Sequence, residues 1–214
     1  MKLYSYWRST AAYRVRIALN LKGVDYGIEP VHLLADGGQQ HAPDYVALNP
    51  IHLVPTLVLS DGTALTQSLA IIDYLDETQP DPPLLPAEPV LRAQVRAAAQ
   101  ITAVDIHPVN NLRVVQHLEK QFSISREDVA DWMRHWTGIG FDALQAVVHS
   151  DTLFSFGDTP TLADICLVAQ YYNARRWGLD LTPYSRLTEI EKNCLALEAF
   201  RAAMPENQPD AAPN

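Results

Sequence analysis

Three short segments of this 214-residue chain could carry chemistry, and the first and third have residue types able to hold an anion. The first is Arg8-Ser9-Thr10, where a strand-like run gives way to a helical one. A helix start exposes unpaired N–H groups and a partial positive charge, both favourable to a nearby anion. Ser9 and Thr10 add hydroxyl donors and Arg8 a full charge, which suits a thiolate or a carboxylate. An ordinary Ser/Thr cap has the same appearance. The second segment is His52-Leu53-Val54-Pro55-Thr56. An X–Pro bond is cis in only about 5–6% of folded cases, so on its own Pro55 reads as a trans residue opening a strand. The third is Gln67-Ser68, with Ser68 read as the cap of a further helix whose N–H groups suit a carboxylate. Arginines also gather at Arg8, Arg14, Arg16, Arg113, Arg175 and Arg176.

The surrounding sequence indicates what positions these residues. Lys2 to Tyr6 reads as a strand and Ala11 to Lys22 as a helix capped by Ser9 or Thr10 and ended by Gly23. Tyr26 to Leu34 is strand-like, with Ile28 and Val31 directed to the core. Asp36-Gly37-Gly38 is a turn, and Pro43 to Leu48 a short helix closed by Asn49-Pro50. Pro55 to Leu59 and Ala64-Leu65 form a hairpin about Ser60-Asp61-Gly62-Thr63, and Ser68 to Glu77 is helical. The order β-α-β-α-β-β-α mixes a parallel crossover with a terminal hairpin. Residues 1–80 thus form one α/β domain. Residues 81–88 are a Pro-rich linker, four prolines falling in Pro80–Pro86, where neither a helix interior nor a central strand fits. Residues 89–214 read as an all-α domain. Its helices run from Pro89 to about Gln121 with a kink at Pro108, from Arg126 to Val148, from a loose capping box at Thr161–Asp164 to Trp177, and in short pieces from Tyr184 to Ala203. The tail from Pro205 to Asn214 is polar and proline-rich, with no clear order.

Composition narrows the functional classes. The chain carries 16 Lys/Arg against 25 Asp/Glu, a net charge of −9. Residues 1–80 hold 5 against 8 and the remainder 11 against 17, so neither part is basic and nucleic acid is not the expected partner. Local arginines on an acidic protein suit a small anionic ligand. Cys166 and Cys194 are the only cysteines. Both lie in apolar helical patterns and read as buried free thiols, with no disulfide framework and no metal-ligand spacing. No apolar signal core or membrane-length run is present, so a cytoplasmic protein that neither enters nor spans a membrane is expected.

Taken together the segments are more specific than any one alone. Tyr4-Ser-Tyr-Trp-Arg-Ser-Thr10, Tyr13-Arg-Val-Arg-Ile-Ala-Leu19, Asp36-Gly-Gly-Gln-Gln40, Ala47-Leu-Asn-Pro50, Gln67-Ser-Leu-Ala-Ile-Ile72, Phe156-Gly-Asp-Thr-Pro-Thr-Leu-Ala-Asp164 and Asp180-Leu-Thr-Pro-Tyr184 occur in one order along the chain. This pattern resembles the zeta class of the cytosolic glutathione transferases, which includes the maleylacetoacetate and maleylpyruvate isomerases. The resemblance implies a thioredoxin-like N-terminal domain followed by an all-α domain, glutathione as cofactor and a homodimer. It further implies a cis Val54–Pro55 bond, with the Val54 backbone pairing with the cysteinyl unit. Gln67 and Ser68 would grip the γ-glutamyl carboxylate. Gln40, His107, Asn111 and Arg113 would be further glutathione contacts, and Ser9, Thr10 and Arg8 the catalytic start of helix 1. Arg8 and Arg176 would face a small dicarboxylate substrate. Arg175, about 100° round the helix from Arg176, reads as solvated surface, and Arg14 and Arg16 as structural or interdomain. His107 reads as a hydrogen-bonding residue ahead of a general base.

The family signature usually has Ser-Ser-Cys where this chain has Ser9-Thr10-Ala11. That change removes redox chemistry by a protein thiol at position 11 and favours the maleylpyruvate branch. The implied reaction does not need that thiol. Reversible addition of the glutathione thiolate to a conjugated carbon turns a double bond into a rotatable single bond, and elimination gives the trans isomer. Two rival readings remain open: a transferase or dehalogenase for α-halo acids, and a non-catalytic interaction module on the same fold.

Overall fold

The computed structural model describes residues 1–211. The chain divides into two units. The first comprises residues 1–83 and the segment from Leu197 onward, and the second comprises Leu84–Ala196.

In the first unit, strands β1 (Lys2–Ser5), β2 (Gly27–Pro30), β3 (Thr56–Val58) and β4 (Ala64–Thr66) form one sheet of order β2-β1-β3-β4. β2 runs parallel to β1, and β3 and β4 run antiparallel, as the α-crossover and the tight hairpin require. Helix α1 (Thr10–Leu21) starts from Ser9, whose Oγ accepts the Ala12 N–H at 3.2 Å, and ends before Gly23 at φ 61°. α1 is buried from Thr10 to Leu19, which explains its apolar face. α2 (Pro43–Leu48) has proline at its first turn, where the missing N–H costs nothing. α3 (Ser68–Thr78) packs on α1 and buries Ile71, Ile72 and Leu75.

β2 is shorter than the strand expected over 26–34, because its partner β1 ends at Ser5, whose carbonyl takes the last bond from the Val31 N–H; Val31 is buried as expected and Ile28 only half-buried. Gln67, not Ser68, is the N-cap of α3, and Ser68 is its first helical residue.

The second unit is helical. α4 (Pro89–Gln100) begins at Glu88, whose carboxylate accepts the N–H groups of Val90 and Leu91. It passes into a π-turn segment (Ile101–Ile106) and a short α5 (His107–Val109). The expected kink at Pro108 is therefore a different distortion. The His107 N–H reaches back five residues to the Thr102 carbonyl, Pro108 has no N–H to continue the ladder, and the chain breaks at Asn110-Asn111 before α6 (Leu112–Phe122). Ile106 packs over Gly140 of α7 (Arg126–Val147); a Cβ there would stand 2.3 Å from Ile106 Cδ1. α8 (Leu162–Arg176) is buried along most of its length, and Tyr171 stacks on Phe141 at 5.3 Å. The expected capping box is present at its start. Asp164 accepts the Thr161 N–H at 2.7 Å, the Thr161 hydroxyl at 2.8 Å and the Ser155 N–H at 2.8 Å. α9 (Ser185–Leu195) closes the unit.

The division expected at residues 81–88 thus falls at Pro83/Leu84, and the segment from Leu197, expected in the helical domain, belongs to the first unit. Its short helix α10 (Glu198–Ala202) packs on α1, where the Asn20 amide donates to the Ala199 carbonyl at 3.0 Å. The tail is described through Ala211, with a short 3-10 turn at Pro205–Asn207, and the last three residues of the expected tail lie outside the described residues. No helix among the described residues is long and apolar enough to cross a membrane.

Candidate functional site

Strand register gathers the candidate residues of the first unit. Tyr4 is paired with Thr56 on β3, and Thr56 with Thr66 on β4. One or two residues further along, the end of β1, the Val54-Pro55 entry to β3 and the Gln67 exit from β4 meet at one end of the sheet. Tyr6 and Val54 accordingly share a buried cluster with Val31 and Tyr45, against which Tyr4, Trp7 and Leu33 pack.

At the start of α1, a turn closes with the Ser9 N–H on the Tyr6 carbonyl at 2.9 Å. Because Ser9 Oγ accepts from the Ala12 amide, its hydroxyl hydrogen remains able to donate to an anion. Thr10 and Ala11 are buried, so Thr10 offers its backbone more readily than its hydroxyl. The Arg8 guanidinium lies 4.6 Å over the Trp7 ring and 3.5 Å from the Tyr6 hydroxyl, and its Nε has no hydrogen-bond partner among the described residues. Neither α1 nor α3 carries an acidic residue in its first turn, so the positive end of each is not neutralised by its own side chains. The buried Arg14 joins the two, donating from Nη1 to Ser68 Oγ at 3.2 Å. From sequence Arg14 reads as structural or interdomain. Its position under the α3 start adds a full charge to the same region, and the only sequence signal for it is a second arginine one turn into α1.

Gln67 has φ 68° and ψ 116°. A non-glycine residue in this region costs on the order of 1–3 kcal/mol and is characteristic of functional turns. The Val54–Pro55 bond is cis, as is Asp81–Pro82, which the sequence did not indicate. The loop before Val54 is held from beneath. The Tyr45 hydroxyl donates to the Leu53 carbonyl at 2.5 Å, the Asn49 amide to the same oxygen at 2.7 Å, and both contact Thr56 Oγ1. Burial pushes the Tyr45 phenol above its ordinary pKa, with the Thr56 and Asn49 hydrogen bonds partly opposing, so it stays a donor. Val54 itself takes no part in this network, and its backbone N–H and carbonyl have no hydrogen-bond partner among the described residues. Neither Tyr45 nor Asn49 stands out as a site residue in the sequence, where Asn49-Pro50 reads as a helix stop and as one piece of the family pattern. Gln40 is buried, and its Nε2 donates to the Leu33 carbonyl at 3.3 Å. Its Oε1 has no partner among the described residues. Gly38 at φ 100° makes room for this side chain, since a Cβ there would lie 2.6 Å from Gln40 Nε2.

The chemistry of this donor set fits glutathione. An orphaned buried amide oxygen, free backbone at Val54 and two helix starts suit a peptide that bears a carboxylate and a thiol.

The remaining candidates lie in the second unit. Asn111 caps α6, its Oδ1 accepting the Arg113 N–H at 3.2 Å, which leaves its NH₂ group to donate outward. Arg113 is exposed and His107 half-exposed. The break that carries them is fixed by Asn110, whose amide donates to Thr137 Oγ1 at 3.2 Å, and by the Trp132 indole, which donates to the Val109 carbonyl at 3.0 Å. Arg176 is exposed in the last turn of α8, its guanidinium 5.1 Å from the Trp177 ring. Arg175 is not simply solvated. It forms a two-point ion pair with the buried Glu191 of α9 and lies 5.0 Å over the Tyr171 ring. Arg16 is structural as expected: fully buried, it donates to the Ala203 and Trp7 carbonyls and to Ser5 Oγ.

Comparison with known proteins agrees with this geometry. Residues 8–78 match the glutathione S-transferase N-terminal domain family. The chain is 48% identical to a probable maleylacetoacetate isomerase of Vibrio cholerae, over 98% of this chain and 97% of that protein. A holo structure of a maleylpyruvate isomerase, a bacterial zeta-class glutathione transferase, is similar with a TM-score of 0.95 and 46% identity, covering 99% of this chain and 100% of that one. A maleylacetoacetate isomerase from Methylobacterium extorquens AM1, solved with malonate and glutathione, is similar with a TM-score of 0.94 and 41% identity, all of both chains being covered. Identity of this extent over nearly the full length, together with two helix starts gathered at one sheet end, makes the chain a member of the zeta class of the glutathione transferases.

Proposed function

We infer that the protein is a glutathione-dependent cis–trans isomerase of a maleyl keto acid, maleylpyruvate or maleylacetoacetate, acting in aromatic-compound breakdown. The observation that carries this reading is the pair of helix starts, α1 and α3, neither with an acidic residue in its own first turn, joined by the Arg14–Ser68 hydrogen bond. Bound glutathione supplies a thiolate able to add reversibly to the conjugated double bond. The protein's share is then electrostatic. The α3 start with Gln67 and Ser68 holds the γ-glutamyl carboxylate, and Val54 and Gln40 offer backbone and amide partners. Ser9, its lone pair occupied by Ala12, turns its O–H toward the sulfur and lowers the thiol pKa from the ordinary value of about 8.5. Thr10 contributes the first free N–H of α1. Arg8 holds a substrate carboxylate and stabilises negative charge as it develops. His107, Asn111 and Arg113 are proposed as further glutathione contacts and Arg176 as a further carboxylate contact. A cytoplasmic homodimer is part of the same proposal, the dimer being testable by light scattering.

The test is turnover of both maleyl keto acids with glutathione present, while the free thiol is followed. Isomerisation that requires glutathione and leaves its concentration unchanged supports the reading. Stoichiometric loss of glutathione with halide release from α-halo acids, without isomerisation, replaces it with the dehalogenase reading. No binding at millimolar glutathione leaves the interaction module.

A further inference from the structure

The segment that follows Leu197 reaches, at Asp210, the turn that presents Ser9. That turn runs from Tyr6 to Ser9 and is closed by the Ser9 N–H on the Tyr6 carbonyl. In such a turn the second residue's N–H has no partner inside the turn. Here that residue is Trp7, and its N–H donates to Asp210 Oδ2 at 2.9 Å. The Trp7 carbonyl accepts from Arg16 Nη2 at 3.0 Å, and the same guanidinium donates from Nε to the Ala203 carbonyl at 3.0 Å. Both backbone polar groups of Trp7 are thus tied to the segment that follows Leu197, the N–H directly through Asp210 and the carbonyl through Arg16. Asp210 is itself held in place. Gln208, buried, donates from Nε2 to the carbonyls of Ala202 and Met204 at 2.9 and 2.8 Å, and the Ala211 N–H returns to the Gln208 carbonyl at 3.0 Å. The other oxygen of Asp210, Oδ1, is shut from solvent with no hydrogen-bond partner among the described residues. Electrostatics alone does not account for a carboxylate beside a turn whose proposed task is to hold a thiolate, since like charges raise a thiol's pKa. Its hydrogen-bond acceptor on Trp7 does.

We propose that Asp210 is a positioning residue for the thiolate site, fixing the Tyr6–Ser9 turn through the Trp7 N–H and thereby the aim of the Ser9 hydroxyl. This rests on the reading of Ser9 as the donor to the glutathione sulfur. A residue that only fastens the chain end predicts a lower melting temperature and nothing else. A positioning residue also changes the thiol.

The test uses the full chain as wild type, Asp210→Ala and Asp210→Asn. The pKa of bound glutathione is read from thiolate absorbance, with kcat and KM for the maleyl substrate measured well below the melting temperatures. Asp210→Ala removes the acceptor, so the bound thiol pKa rises by about one unit and kcat falls about tenfold, with KM changed less. Asparagine keeps an oxygen acceptor for Trp7 and discards the charge, so Asp210→Asn holds kcat within about twofold of wild type, with the thiol pKa unchanged or lowered. Alanine and asparagine variants that match each other in thiol pKa and kcat overturn the proposal. If the alanine variant does not fold, Asp210→Asn decides: activity within about twofold supports the proposal, and a loss of about tenfold or more overturns it. A wild type that shows no glutathione thiolate at all marks a different failure, that of the functional reading, and the proposal falls with it.

Discussion

Replacing Ser9 by alanine separates two tasks of one oxygen. Its lone pair accepts the Ala12 N–H at 3.2 Å and caps α1; loss of such a cap costs about 1 kcal/mol. For a chain of this length that lowers the melting temperature by about 2–4 °C. The hydroxyl hydrogen is assigned to the glutathione sulfur. A hydrogen bond to a charged acceptor contributes about 1.5–3 kcal/mol, so its loss raises the bound thiol pKa by about one to two units. Below that pKa the thiolate fraction, and with it kcat, falls about 10- to 100-fold. Ser9→Asp keeps a cap acceptor but supplies a negative charge where the donor was, so it melts close to wild type and loses at least as much activity. The assay is a pH titration of thiolate absorbance in the glutathione complex beside a thermal melt. A Ser9→Ala protein that melts lower yet keeps its bound thiol within about 0.3 unit of wild type refutes the assignment and leaves Ser9 as a cap alone.

Other consequences can be checked without substrate. Gly140→Ala places a Cβ 2.3 and 2.4 Å from two atoms of the buried Ile106; overpacking of this kind costs about 1–3 kcal/mol, read as a lower midpoint in denaturant. Cys166 and Cys194 are fully buried, and burial pushes the Cys194 thiol well above its ordinary pKa. A disulfide reagent therefore modifies neither in the native protein and both after denaturation, and fast modification before unfolding contradicts the packing of α8 and α9. Burial, then the nearby Asp142 carboxylate, pushes the Tyr184 phenol up to about 12. A raised pKa means that the unfolded chain loses this proton first, so the stability it contributes is present below about 10 and is lost as pH rises toward 12. Tyr184→Phe flattens that alkaline decline in a series of melts, and an unchanged slope contradicts the assignment.

Much of this architecture is legible in the sequence because its punctuation is local. Ser9 and Gly23 bound α1, Pro43 opens α2, Asp61-Gly62 turns the hairpin, and Thr161 with Asp164 starts α8. Each acts within four residues of the element it starts or ends. What escaped depends on residues distant along the chain. Asp210 meets Trp7 across 203 positions, and a polar, proline-rich tail gives no periodicity from which to infer it. Arg175 looks solvated until α9 brings Glu191 beside it. Pro108 suggests a kink, but a π-turn ahead of it absorbs the disturbance and the break comes two residues later. The site shows the same division. Ser9, Val54, Gln67 and Ser68 are marked by their own types and neighbours, whereas Arg14 and Tyr45 resemble ordinary helix residues, and Asn49 a plain helix stop, until the sheet register shows what they hold in place.

In the proposed reaction the thiol comes from glutathione and is returned unchanged. The most direct measurement of this is maleylpyruvate and maleylacetoacetate isomerisation with glutathione added, omitted, or replaced by its S-methyl derivative, while free thiol is counted through many turnovers. Turnover of at least one substrate with glutathione alone, at a constant thiol count, is the expected result. Equal rates without glutathione, or loss of one thiol per turnover, would contradict it.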